Sequence, residues 1–218
     1  MSTFIYVQAV DCGLAPCVRN GTWSLALCKP AIRRKATEGD VIIAVTPSKD
    51  GHRLSSWARI DEPISTNKFY QRYPASRPDN IYQRVEDGKF IRHKGVRHPL
   101  HSSSDDLKHD LGKDGKSAFV LISKDFYAFG EDALQLDEWT EGRKHLRAVV
   151  DKLGRGNRRY FEQEVEKDLN DLAKFLKSKH KGQHNKKFRP REPKLDLPCK
   201  SPKGEKGHAI CNPRKVKQ

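Results

Sequence analysis

Three side chains of this 218-residue chain are suited to bond-making chemistry: Asp11, Cys28 and His101. A thiol next to Lys29 can be drawn toward its nucleophilic thiolate. A carboxylate can position or deprotonate a ligand, and an imidazole exchanges protons near neutral pH. Cys28 also opens a cationic run of Lys29, Pro30, Arg33 and Arg34. Lysine and arginine so placed are phosphate ligands. Adjacent helical residues point about 100° apart, so only one of the two arginines can face inward. Blander roles are open to the same residues: Asp11 in a turn, the arginines on a solvated face, Cys28 as a buried structural thiol.

A base taken out of a duplex needs a flat wall to stack on. Trp23 and Trp57 are the candidates for that wall, whereas Phe126 and Phe129, which follow an apolar strand, read as core. Histidine is dense at His93, His98, His101 and His109, with Asp105, Asp106 and Asp110 nearby. Exposed histidines in a polar loop are usually only solvated, and His101 is the one singled out as a general acid or base. No metal or cofactor is assigned. The spacing of Cys12, Cys17 and Cys28 fits no zinc module, and Cys199, His208 and Cys211 with His184 are too loosely spaced.

The elements that must position these groups follow from periodicity. Phe4 to Val10, Val41 to Val45, Leu54 to Ile60 and Ala118 to Ser123 read as strands. A short helix is expected over Ala31 to Ala36, with Pro30 tolerated in its first turn. Another is expected over Ser65 to Tyr73, ending before Pro74. From Pro74 to Gly115 the chain reads as a long polar loop with a weak strand near Phe90, and loops of that length tend to be functional. Two helices follow Gly130. The second runs from about Arg158 to Ser178, where Phe161, Val165, Leu169, Leu172 and Leu176 form one apolar stripe. The order predicts an α+β domain over residues 1–178. Its small mixed sheet should be curved or barrel-like, with flanking short helices and a C-terminal helix.

Composition bounds the partners. The net charge is +15, and residues 177–218 carry +11 of it. Residues 179–218 therefore read as a basic, disordered tail in which Lys186, Lys187, Arg189 and Arg191 suit a phosphate backbone. No apolar run reaches the roughly 18 residues of a membrane helix. The odd count of 5 cysteines, with no signal-like N-terminus, points to a cytoplasmic protein with reduced thiols.

Several separated blocks occur together in order: D-x-G-x-A-P at Asp11 to Pro16, T-W-S-L-A-L-C-K-P-x-I-R-R at Thr22 to Arg34, Gly39-Asp40, D-N-I-Y at Asp79 to Tyr82, and V-L-I-S-K-D-F-Y-A-F-G at Val120 to Gly130. Over residues 1–137 the chain resembles the bacterial nucleotide-modification-associated domain, type 2. That resemblance implies a role in making, reading or restricting hypermodified bases in DNA, in phage or defence systems. It makes Asp11, Cys28, Lys29, Arg33, Gly39 and Asp40 motif positions, with Gly39-Asp40 a structural turn. By fold analogy, the curved sheet is similar to the EVE, ASCH and PUA group, whose members hold modified bases or RNA in a pocket. Three roles stay open: a reader of modified nucleotides in DNA, an enzyme acting on a base through Asp11, Cys28 and His101, or an adaptor bridging nucleic acid and other proteins of a modification system.

Overall fold

The computed structural model describes residues 1–9, 13–85, 89–92, 104–112, 118–154, 157–160 and 163–180. The apolar, β-branched runs form its centre. Strands β1 (Thr3–Val7), β4 (Val41–Val45), β5 (Leu54–Arg59), β10 (Asp125–Ala128) and β11 (Asn157–Tyr160) make one sheet in the order β10-β5-β4-β1-β11. In it β1 runs parallel to β4 and every other pair is antiparallel, so the sheet is mixed as expected. A second sheet has the order β2-β3-β9-β6, from β2 (Cys17–Arg19), β3 (Thr22–Leu25), β6 (Glu62–Ser65) and β9 (Phe119–Ser123). The first sheet passes into the second at two adjacent corners, β5 to β6 and β9 to β10. There the Asp61 N–H donates to the Ile122 carbonyl at 2.9 Å, and the Lys124 N–H to the Asp61 carboxylate at 2.6 Å.

The sheets do not close. Edge strands β10 and β11 bound one, β2 and β6 the other, and no barrel closes among the described residues. The expected barrel-like curvature gives way to two facing sheets, because Ile60-Asp61 and Lys124 turn corners that a barrel would replace with continuous pairing.

Three apolar layers result. Phe4, Tyr6, Trp23, Leu25, Ile42, Ala58, Leu121 and Phe126 fill the space between the sheets, closed at one end by Ile32 of helix α1 (Pro30–Lys35) and by Ala36 just after it. The outer face of the first sheet packs Ile5, Ile43 and Trp57 against α4 (Leu136–Thr140), α5 (Lys144–Asp151) and α6 (Gln163–Lys179). The stripe Val165, Leu169, Leu172 and Leu176 faces that layer as the periodicity requires. The outer face of the second sheet packs Leu27, Ile64 and Val120 against α2 (Thr66–Arg72), α3 (Ser104–Leu111) and the hairpin of β7 (Tyr82–Arg84) and β8 (Phe90–Arg92).

The long polar stretch carries the weak strand expected near Phe90, which is β8, and more structure than a loop besides. It supplies a hairpin and a helix, with Tyr82 and Leu111 buried as their anchors. The first three residues expected in the C-terminal helix, Arg158 to Tyr160, are instead β-strand: with Asn157 they extend the first sheet by pairing with β1. The Gly39-Asp40 turn is structural. Gly39 holds φ at +83°, and buried Asp40 accepts from the Ser2 N–H at 2.6 Å and the Thr37 N–H at 2.9 Å. Asp40 thereby ties the start of β1 to the start of β4.

Candidate functional site

Cys28 and Lys29 join β3 to α1, and both have left-handed backbone, at φ +55° and +46°. For residues with a Cβ this costs on the order of 1 kcal/mol each. Pro30 disfavours right-handed helix at Lys29 but on its own would favour extended backbone there. The turn is held by side chains from distant elements. The Cys28 N–H donates to the Asp110 carboxylate at 2.7 Å, and the Cys28 carbonyl accepts from Arg33 Nε at 2.8 Å. The Lys29 carbonyl accepts the Ile32 and Arg33 N–H groups, which starts α1 without a side-chain cap.

Asp110, at the end of α3, is wholly buried and organises this turn from beneath. Its second oxygen accepts from the Tyr82 hydroxyl at 3.0 Å, and its carbonyl accepts from Arg33 Nη2. Burial, reinforced by the neighbouring Asp110 charge, pushes the Tyr82 phenol far above its usual range. Burial likewise disfavours the Arg33 charge, and the Asp110 carboxylate opposes that.

The cationic run divides its duties. Arg33 is 1% exposed, and it also donates to the Phe119 carbonyl at 2.7 Å. Its guanidinium braces α1, α3 and β9, so the expected phosphate contact from Arg33 is corrected to a structural one: backbone carbonyls satisfy a charge buried away from any ligand. Arg34 faces solvent beside it. Lys29 is half-buried, and its ammonium donates to the Val7 carbonyl at 3.1 Å and lies 4.8 Å from the centre of the Tyr6 ring. The Tyr6 hydroxyl in turn reaches the Ala15 carbonyl at 3.5 Å. Lys29 therefore meets the end of β1, and Tyr6 links it to the segment Gly13 to Pro16 that leads into β2. Asp11 and His101 lie outside the described residues, as do Lys186, Lys187, Arg189, Arg191, Cys199, His208 and Cys211.

Trp23 and Trp57 are corrected as stacking walls. Trp23 is 0% exposed between the sheets, and Trp57 is 1% exposed with its ring tilted against Tyr127 at 5.9 Å. Both give their faces to the core, Trp23 to the layer between the sheets and Trp57 to the layer under α4, α5 and α6.

A second buried polar group underlies the D-N-I-Y block. Arg77 Nε lies 2.8 Å from Asp79, with both side chains almost fully buried. The Ser24 hydroxyl donates to Asp79, and Arg77 donates to the Cys17, Arg19 and Thr22 carbonyls. This pair locks the start of the hairpin onto the β2-β3 turn. Burial, with the Asp79 charge beside it, drives the Cys17 thiol well above its ordinary range and leaves it inert. Sequence reasoning did not name Asp110, Tyr82 or Arg77 as site residues. Asp110 stands 82 residues from Cys28, and no local pattern reports such a contact.

Among the described residues no three His, Cys, Asp or Glu side chains gather closely enough to hold a metal, and no helix is long and apolar enough to cross a membrane. The Cys28 thiol is half-buried. The arrangement therefore presents a thiol and an ammonium on a backbone held rigid from below, with a further guanidinium at the surface of α1. A family model described as nucleotide modification associated domain 2 matches residues 1–194, past the 1–137 stretch that carries the motif blocks. No curated protein and no solved structure gives a significant match.

Proposed function

Because the chain belongs to the nucleotide modification associated domain 2 family, we propose that it recognises a modified nucleotide in DNA, with Lys29 and Arg34 as phosphate contacts and the Cys28 turn as the floor of the site. One observation carries this reading: two consecutive left-handed residues are held beside a half-exposed ammonium by a wholly buried carboxylate. Strain maintained by so much surrounding structure marks places where a ligand is met. The C-terminal 179–218 segment adds sequence-independent affinity for the DNA backbone. The setting this implies is a bacterial or phage DNA-modification or defence system, in the cytoplasm, with other proteins of that system as further partners.

The test is equilibrium binding to matched oligonucleotides with ordinary and with hydroxymethylated or glycosylated pyrimidines. Tighter binding of a modified strand, lost in Lys29→Ala, is the expected outcome; equal binding of all strands by both proteins would refute the reading. The half-exposed thiol of Cys28 favours a second reading, an enzyme acting on the base with Cys28 as nucleophile and Asp11 and His101 as proton-transfer groups. Separate Cys28→Ser and Asp11→Asn variants discriminate. Turnover lost with binding retained identifies the enzyme, and binding lost alone identifies the reader.

A further inference from the structure

Phe119 is out of place. It begins the strand β9, yet it is 41% exposed, and it is the exposed aromatic ring among the described residues. Every described tryptophan is buried, and so are Phe4, Phe69, Phe126 and Phe129. An aromatic left at the surface forgoes a large share of its burial free energy, so its neighbours matter.

Those neighbours are placed by register. Phe119 stands opposite Ser65, and Leu121 opposite Pro63. Leu121 belongs to the layer between the sheets, so Phe119, two residues earlier on the same strand, points to the same side. It does so at the end of that layer closed by α1. Arg33 fixes the helix there, donating to the carbonyl of Phe119 itself. The next two residues of α1, Arg34 and Lys35, are exposed, and the helix carries no acidic residue. On the other side α2 begins one residue after Ser65, with the Thr66 N–H bonded to the Ala118 carbonyl at 2.8 Å. Its first turn holds exposed Lys68, whose N–H is capped by Ser65. The ring thus lies at the end of the inter-sheet layer that α1 closes, and α1 presents Arg34 and Lys35 to solvent at that end.

We propose that Phe119 is a stacking platform for an unpaired base, with Arg34 and Lys35 of α1 contacting the flanking phosphates. One aromatic face bordered by cations matches one base and its backbone in size and charge. A single ring is too small a patch for stable protein docking, which needs a contiguous apolar surface. A base within a duplex keeps its faces stacked on its neighbours, so the platform takes a single strand or a base already extruded. The inference rests on the nucleotide reading above. It gives that reading the stacking surface which buried Trp23 and Trp57 do not supply.

The experiment is titration of the full chain with a short single-stranded oligonucleotide carrying one 2-aminopurine, read by anisotropy and by quenching of the fluorescent base. The wild-type protein should bind and quench at low salt. Phe119→Ala should lose the quenching and weaken binding about tenfold, and Phe119→Leu should match it despite keeping an apolar side chain. Phe119→Trp should restore both signals. A double variant of Arg34→Ala and Lys35→Ala should bind with a salt dependence shallower by about two phosphates and still quench at saturation. Thermal midpoints close to wild type would show that Phe119→Ala keeps the fold, and Phe119→Trp serves should it fall. If Phe119→Ala and Phe119→Leu bind and quench like wild type while Lys29→Ala weakens binding, the platform is overturned and the nucleotide reading stands. If the wild-type protein binds no oligonucleotide at low salt, both are overturned.

Discussion

At the scale of single residues, the Cys28 turn separates what its backbone does from what its side chains do. Its N–H and carbonyl do the structural work, on Asp110 and Arg33, and glycine in that left-handed position would keep both bonds. Cys28→Gly is therefore expected to change stability by less than about 1 kcal/mol. Asp110→Ala leaves the Cys28 N–H and the Tyr82 hydroxyl unpaired in the interior, and should cost about 3 kcal/mol. Urea unfolding of the two variants checks the contrast. The buried acids Cys17 and Tyr82 make a second expectation. Both have pKa values raised by burial in the folded chain, so folding keeps them protonated where the unfolded chain would ionise. Stability should be at its full level below the ordinary thiol range, about pH 8.5, and fall as pH rises through it. Each group contributes a limiting slope of about 1.4 kcal/mol per pH unit once its unfolded form is ionised. Cys17→Ala should remove the lower-pH part of that decline, measured as denaturation midpoints across an alkaline series.

At the scale of elements, α1 shows what could be read from sequence and what could not. The helix, its Pro30 start and the division of labour between adjacent arginines all follow from local geometry. Which arginine turns inward does not, because it depends on carbonyls of β9 and α3 some 80 residues away. The expected consequence is a sharp split. Arg33→Ala should destabilise the fold by about 3 kcal/mol, whereas Arg34→Ala should stay within about 0.5 kcal/mol of wild type and weaken only nucleic-acid binding. Thermal unfolding beside a binding titration separates the two. The strands β1, β4 and β9 were legible because each is a nearly continuous apolar run, and β5 because Trp57 partly alternates with polar neighbours. β3 was not, since Thr22 to Leu25 runs without a break into the cationic segment and no turn residue marks its end. The β7-β8 hairpin and α3 are polar and interrupted by Gly and Pro, and they hold their shape through Tyr82, Asp110 and the Arg77–Asp79 pair. Long-range polar contacts of that kind leave no periodic trace.

At the scale of the whole molecule, two open sheets bring three separate segments to one end: the end of β1, the approach to β2, and the start of α1. Tyr6, Ala15 and Lys29 meet there. The mixed sheet expected from strand order is present, and it does not close into a barrel among the described residues for a topological reason. The two corner-turning strands divide the pairing between sheets, and that leaves the layer between them to be capped by α1. The charge is divided on the same scale, with +11 of the net +15 in residues 177–218. A chain ending at His180 should bind nucleic acid more weakly at low salt and with a flatter salt dependence, while keeping its preference among modified strands. An unchanged slope would show that the tail makes no backbone contact.

The proposed site holds a nucleotide phosphate at the Cys28–Lys29 turn. Anisotropy titrations of a labelled modified oligonucleotide with wild-type protein and Lys29→Ala, across a series of salt concentrations, decide whether it does. Lys29→Ala should bind several-fold more weakly with a salt slope smaller by about one. Identical affinities and identical slopes for the two proteins would rule out a phosphate contact at Lys29.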